Sequence, residues 1–299
     1  MNPKSFFIAI TCAAVLDGCN SVPPELHVMS FNIWGGGGTS VALTASVISG
    51  SGADIVGIQE PNRGNSNSAE YIADSLGWYS YSGKNSGCGT IISRYAVTDT
   101  SKLGYGVKIR VDARHSVWMF NIHLYYCPYE PYQLGGIEYC GAPLLATAEE
   151  AIASAWTTRS PQVTAVVEDI QQARQDEIPV FLTGDFNEPS FLDWTERAAT
   201  AGMHRMTVMW PSTKAFTEQA GMADSYRAVF PNEIENPGYT WTPRPATKEI
   251  HDRIDFVLYS GILPIAAKIA GENSTLSDIR FENYPSDHRA VVSTFKWHE

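Results

Sequence analysis

The chain is short of positive charge. Lys and Arg number 21 against 32 Asp and Glu, a formal net charge of −11 over 299 residues. Non-specific binding to duplex DNA rests on neutralising phosphates with Lys and Arg. Bulk duplex DNA is therefore disfavoured as a partner, although a local basic cleft is compatible with the total. No second long apolar stretch follows the first residues, so no transmembrane helix is expected. The G-x-x-x-x-G-K-[ST] loop is missing, which excludes P-loop nucleotide hydrolysis. So is the G-x-S-x-G elbow, which argues against a serine hydrolase. Without C-x-x-C or H-x-x-x-H, zinc has no recognisable ligand set. No segment repeats at a period of about 20–50 residues, which sets aside solenoids and propellers. At 44% hydrophobic and 18% charged, the composition is that of a globular chain.

The first 19 residues read MNPKSFFIAITCAAVLDGC. Lys4 precedes an apolar run of 11 residues from Phe6 to Leu16, the length of a signal-peptide core and too short to span a bilayer. Its end, Leu16-Asp17-Gly18-Cys19, resembles the lipobox of bacterial lipoproteins. The resemblance implies a signal peptide over 1–18, lipidation of Cys19, and an exported protein that is either anchored to a membrane through Cys19 or secreted. Residues 19–25 read as a linker, since Pro23 and Pro24 block helix. The remainder, 26–299, reads as one domain, expected to be monomeric. In an exported, oxidising setting, Cys127 and Cys140 flank a compact segment rich in Gly and Tyr and are paired on that ground, leaving Cys88 free. Pairings of Cys88 with either stay open. Closing a loop of that length contributes about 3 kcal/mol in the chain-entropy model.

Along the chain, short apolar runs alternate with helical patterns. Strands are expected at 26–33, 54–58, 78–82, 89–93, 105–111, 116–124, 178–183, 251–259 and 289–295, with helices at 41–49, 68–76, 161–175 and 191–201. The helix over 161–175 takes Pro161 as its first-turn proline, with Val163, Val166, Val167 and Ile170 on one face. Several strands in succession favour a layered α/β fold with mixed sheets over a pure βαβ series.

Chemically useful residues gather at the ends of these strands. Asn32 closes the first, Glu60 follows DIVGIQ, and His123 sits late in VWMFNIHL. Asp185 and Asn187 follow VFLTG, Asp255 lies inside RIDFVLY, and Asp287-His288 precede the last strand. Any one of them alone is more simply a turn, a cap or a structural histidine. Together they offer hard oxygen ligands, which suit Mg²⁺ held with waters and a substrate phosphate, and imidazoles for proton transfer near neutral pH.

The motifs F-N-I-W (31–34), I-Q-E (58–60), N-I-H-L (121–124), T-G-D-F-N (183–187), R-I-D-F-V (253–257) and S-D-H-R (286–289) resemble, in order, those of the endonuclease/exonuclease/phosphatase superfamily. The resemblance implies a four-layer sandwich of two mixed β-sheets flanked by helices, and phosphoester hydrolysis dependent on Mg²⁺, with Mn²⁺ or Ca²⁺ as substitutes. By position, Glu60, Asn32 and Asp287 would hold the metal. His288 would move a proton, oriented by Asp255. Asp185 would position or deprotonate water, Asn187 would donate to the phosphoryl oxygens, and His123 would assist at the transition state. The N-x-H form at 121–123 resembles the sphingomyelinase and deoxyribonuclease branches. Arg253 suits a phosphate clamp or an internal ion pair equally. The segment after His123, LYYCPYEPYQLGGIEYCGAPLL, carries five Tyr. Tyr125 and Tyr126 are candidate substrate-binding residues there, able to face a sugar, a nucleobase or a quaternary ammonium. A self-packed surface loop is the equal alternative.

The leading expectation is an exported phosphodiesterase acting on a small or lipid-linked phosphodiester. A secreted nuclease, a phosphomonoesterase and a binding module that kept the fold without its chemistry are the competitors. A basic groove beside His123 would mark the nuclease, and cleavage of terminal phosphates alone the monoesterase.

Overall fold

The computed structural model describes residues 25–297 apart from 86, 245 and 247, so the expected signal peptide, most of the expected linker and Cys19 lie outside the described residues. Two sheets carry the fold. The first has the order β14 (Ile279–Phe281), β13 (Leu263–Glu272), β15 (Ala290–Lys296), β1 (Leu26–Asn32), β2 (Ile55–Gln59), β6 (Thr90–Ser93) and β5 (Tyr79–Ser82). The second runs β11 (Ala223–Asp224), β12 (Asp255–Ser260), β10 (Val180–Asp185), β9 (Ser116–His123), β8 (Gly106–Arg110) and β7 (Ala96–Thr100). A two-residue hairpin, β3 (Asn62–Arg63) and β4 (Ser66–Asn67), stands apart. Both sheets are mixed: β1–β2 and β9–β10 pair in parallel, whereas β1–β15 and β10–β12 are antiparallel.

Side-chain alternation along the strands produces the layers. On β1, Leu26 and Val28 join Phe181, Val257 and Phe295 in the core between the sheets. Met29 and Phe31 point the other way, onto α2 (Val41–Gly50) and α3 (Ser68–Leu76) through Val47, Ile48 and Ile72. On β10, Val180 and Leu182 face α5 (Ala148–Ala173) and α7 (Pro211–Glu218) through Val163, Val167 and Phe216. The result is the expected sandwich of two mixed sheets between helices. Each fully buried Leu, Ile or Phe in these layers contributes roughly 1.5–3 kcal/mol.

A polar seam stitches the sheets together below their open end. Asn121 on β9 accepts from Gln59 Nε2 at 2.6 Å and donates to the Ile58 and Thr90 carbonyls at 2.9 and 3.0 Å. The Gly184 N–H donates to Ser30 Oγ at 3.1 Å. Gly57 faces this seam, and a Cβ there would collide with Thr183 Oγ1. Paired buried polar groups of this kind fix register, since each lost partner leaves a desolvated one.

Two helix expectations change. The helix expected to open at Pro161 begins at Ala148, with Pro161 inside it. Its start is a capping box: Thr147 accepts from the Glu150 N–H and Glu150 reaches back to the Thr147 N–H. Burial of Ala151, Ala155, Val163 and Val166 along one face outweighs the proline's missing donor. The helix expected over 191–201 shrinks to α6 (Glu196–Thr200), because Phe191–Trp194 form turns. The long β13 and the short α1 (Trp34–Gly37), α4 (Glu130–Gly135) and α8 (Ser225–Val229) were not apparent in the sequence.

Candidate active site

The alternation that builds the core also aims the site. On β9, β10 and β12 the inward set ends in His123, Asp185 and Asp255, and the ladder pairs Asp185 with both neighbours. The three side chains therefore stand in one row at the open end of the inter-sheet cleft. Opposite them, β1 ends in Asn32, whose register partner on β2 is Gln59, directly before Glu60. Asp287 and His288 arrive on the segment before β15, which is docked by Ser286 Oγ donating to the Asn32 carbonyl at 2.7 Å. Ser286 is thus a positioning residue not singled out in the sequence.

Asp185 Oδ2 is the common contact. Asn32 Nδ2 donates to it at 2.9 Å, and the His123 and His288 Nε2 atoms lie 3.5 and 3.7 Å away. Its other oxygen accepts the Asn187 N–H at 2.9 Å. His288 Nδ1 meets Asp255 Oδ2 at 2.9 Å, and both side chains are buried. Burial opposes charge on the His288 imidazole, but the Asp255 and Asp185 carboxylates outweigh it and raise its pKa. The ring therefore holds its second proton more tightly than a free histidine.

Glu60 and Asn187 both follow strand ends with left-handed backbones, φ +53° and +48°. Such conformations cost non-glycine residues about 1–3 kcal/mol and persist where surrounding bonds hold them. Glu60 Oε2 accepts the Gly35 N–H at 2.7 Å, and Oε1 lies 3.2 Å from Asn32 Nδ2. The glycine run makes this approach possible, since a Cβ at Gly38 would strike the Pro285 carbonyl. Burial raises the Asp287 carboxyl, and the Glu60 charge adds to the rise while His288 opposes it. Asp287 Oδ1 is buried without a hydrogen-bond partner. An acceptor left bare beside a second carboxylate fits a hard divalent cation. Asn32 turns its amide nitrogen toward both carboxylates while its oxygen accepts the Trp34 N–H at 3.0 Å. Its nitrogen thus links Asp185 to Glu60. Asp185, Asp255 and His288 also bring ligand atoms within 4.8 Å of one another, and Asp255 Oδ1 is likewise buried without a hydrogen-bond partner, although its other oxygen is held by His288 Nδ1.

Arg253 does not reach the site. It is 1% exposed, donates to Asp193 at 2.9 Å and lies 2.7 Å from Asp224. The clamp expectation is corrected in favour of the internal ion pair: a buried guanidinium takes the carboxylates packed around it. Cys127 and Cys140 are bonded, with Cα atoms 6.2 Å apart, and Cys88 is free. Residues of the loop they close line a pocket beside Asn187, whereas Tyr125, 54% exposed, is not among the residues that line it. Tyr126 does line that pocket, a cavity of about 170 Å³, together with Tyr129, Tyr132, Tyr139, Trp241 and Asn187. Trp241, whose ring centroid lies 4.8 Å from that of His288, was not identified from sequence. Nothing in its local run, YTWTPRP, marks it as more than a loop aromatic.

The loop is fastened from behind. Arg159, fully buried on α5, donates to Glu130 at 2.8 Å and to the Pro128 carbonyl at 2.8 Å. Glu188, next to Asn187, lies 3.8 Å from the same guanidinium.

Carboxylates and imidazoles gathered between facing sheets, with the unpartnered Asp287 Oδ1 beside Glu60, suit the hydrolysis of a phosphate ester. The chain belongs to the endonuclease/exonuclease/phosphatase family, whose family model matches residues 29–288. Members of this family are metal-dependent phosphoric ester hydrolases, and this chain is an enzyme of that class. The uncharacterized protein F14F9.5 of Caenorhabditis elegans is 27% identical over 317 residues, covering 97% of each chain. Among solved structures, the 3′-5′ exonuclease NExo from Neisseria meningitidis aligns with TM-score 0.57 at 17% identity, over 91% of this chain and 100% of that one. TDP2 of D. rerio complexed with single-strand DNA product aligns with TM-score 0.56 at 17% identity, over 92% and 100%. At such identities these structures establish the shared fold.

Proposed function

We propose that the protein is an exported, Mg²⁺-dependent phosphodiesterase that hydrolyses a small or lipid-linked phosphodiester by in-line attack of water, without a covalent enzyme intermediate. The observation that carries this reading is Asp185 Oδ2, shared by Asn32 and two imidazoles, with Glu60 and Asp287 beside it. Glu60 and Asp287 would hold the cation, which when bound supplies charge neutralisation and Lewis acidity at the phosphate. Asp185, inside a cage of donors, holds the attacking water and takes its proton. His288, kept protonated by Asp255, faces the charge that develops on the phosphoryl oxygens. Asn187 Nδ2 donates one N–H to the Leu124 carbonyl at 3.0 Å, and its second N–H would serve a phosphoryl oxygen. His123 stands at the row's other end, positioned to protonate the leaving oxygen.

The test is a panel assayed with purified protein: bis-p-nitrophenyl phosphate, p-nitrophenyl phosphate and single-stranded DNA, each with Mg²⁺ and with chelator. Cleavage of the diester, abolished by chelation and exceeding that of the monoester, is the expected result. Preference for the monoester or for DNA would replace this reading with one of its competitors. The export part rests on the sequence of the first 19 residues. Cys19→Ala is expected to move the protein from the membrane fraction to the soluble exported fraction, and an unchanged membrane fraction would remove the anchor.

A further inference from the structure

The tyrosine-walled pocket has an electrostatic character that the phosphoryl chemistry does not need. Three of its aromatic side chains commit their polar tips to carboxylates or to one another behind the wall. Tyr129 Oη donates to Asp252 Oδ2 at 2.7 Å, and Tyr132 Oη donates to Glu249. Trp241 Nε1 donates to Tyr132 Oη at 2.9 Å and to Glu249 at 3.2 Å. Their hydroxyls and indole N–H are thus unavailable to a ligand. A sugar or nucleobase, which needs several convergent polar partners, finds few here. No Lys, Arg or His lines the cavity among the described residues. The carboxyl groups of Asp252 and Glu249 stand behind the wall and Glu60 lies toward Tyr139, while the His288 imidazole packs against Trp241 at the phosphoryl end. Hydroxyls bonded to carboxylates enrich their rings in electron density, and electron-rich faces attract cations.

Size and position agree with this. The cavity, about 170 Å³, is near the roughly 150 Å³ that holds a benzene-sized group. Its wall includes Asn187 on the phosphoryl side and Trp241 against His288. A group seated there lies next to the reacting phosphate.

We propose that this pocket binds the ammonium group of an alkylammonium alcohol esterified to the phosphate, so that the substrate is a choline- or ethanolamine-type phosphodiester. The inference rests on the phosphodiesterase reading for its chemistry, but its recognition half can be measured without turnover. In calorimetric titration of the full-length protein without metal, choline is expected to bind about tenfold or more tightly than its uncharged carbon isostere 3,3-dimethylbutanol, the scale of a cation held by several rings. With Mg²⁺, p-nitrophenyl phosphorylcholine should show a correspondingly lower KM than p-nitrophenyl 3,3-dimethylbutyl phosphate. Glu249→Gln keeps an acceptor for Tyr132 and Trp241 while removing the charge, and should shrink that ratio. Equal binding of choline and the isostere, or binding of neither, overturns the proposal even if bis-p-nitrophenyl phosphate is cleaved. Choline binding with no cleavage of any diester keeps the pocket and overturns the phosphodiesterase reading. Glycerophosphocholine and phosphatidylcholine vesicles separate the sources: cleavage of the first marks a soluble diester, of the second a lipid headgroup, and of neither overturns the substrate class.

Discussion

Replacing His288 with Ala is expected to lower kcat on an aryl phosphodiester by about 10²–10⁴-fold, the range for a positioned proton-handling group. KM should change little, because the ring lies deep in the cleft and its charge matters most as the phosphoryl oxygens gain charge. Asp255→Asn should act through the same step. Its carboxylate fixes Nδ1 at 2.9 Å and contributes to holding the imidazole protonated. Without that charge the His288 pKa falls, so activity that needs the protonated ring should be lost on the alkaline side at a lower pH than in the parent. The cycle completed by the double variant is the decisive measurement. Residues acting as one unit give losses far from additive, so the double variant should be little worse than the worse single. Additive losses, or an alkaline limb unmoved by Asp255→Asn, would separate the pair.

Glu60→Gln should have a comparable effect by a different route. Glu60 holds its place by accepting the Gly35 N–H, and Gln retains an oxygen for that bond. What it loses is the charge beside Asp287, whose Oδ1 has no hydrogen-bond partner. Partners one step removed from a metal already change its affinity by about 10–100-fold, and a direct carboxylate ligand should change it by at least as much. The thermal stabilisation that Mg²⁺ gives the parent should therefore shrink or vanish, since a ligand stabilises only as far as it binds the native state. Activity at fixed Mg²⁺ should fall with it and recover in part as Mg²⁺ is raised. A variant with the parent's Mg²⁺-induced shift in Tm and the parent's turnover would show that the metal is held elsewhere, with the Asp185, Asp255 and His288 group the next place to look.

The strands that carry the site and the row of acids and imidazoles were legible because one periodicity serves both. The alternation that sends Val28 and Phe181 into the core sends Asn32 and Asp185 to its rim. Arg253 was ambiguous for a physical reason: its neighbours Asp193 and Asp224 lie 60 and 29 positions away along the chain, and no local pattern announces such a meeting. The pocket was half legible. A run of tyrosines beside His123 suggested a wall, but the placing of Tyr129 and Tyr132 depends on α4 and on Arg159 beneath it. Trp241 depends on bridges to Asp252 and His288 that only the folded chain makes. Pro161 misled because proline favours the first helical turn, and the stronger signal, Thr147 with Glu150, lay 14 residues earlier.

The seam at Asn121 has a consequence for folding. Each sheet by itself carries half of the site: Asn32, Glu60 and His288 belong to one, and His123, Asp185 and Asp255 to the other. An intermediate with either sheet formed alone would hold strands, helices and much apolar burial, yet no reaction centre. Turnover is therefore a sharper gauge of the native state than any spectrum of secondary structure. During denaturation it should vanish when Gln59 and Asn121 part, while circular dichroism can still register intact sheets. During refolding it should return last.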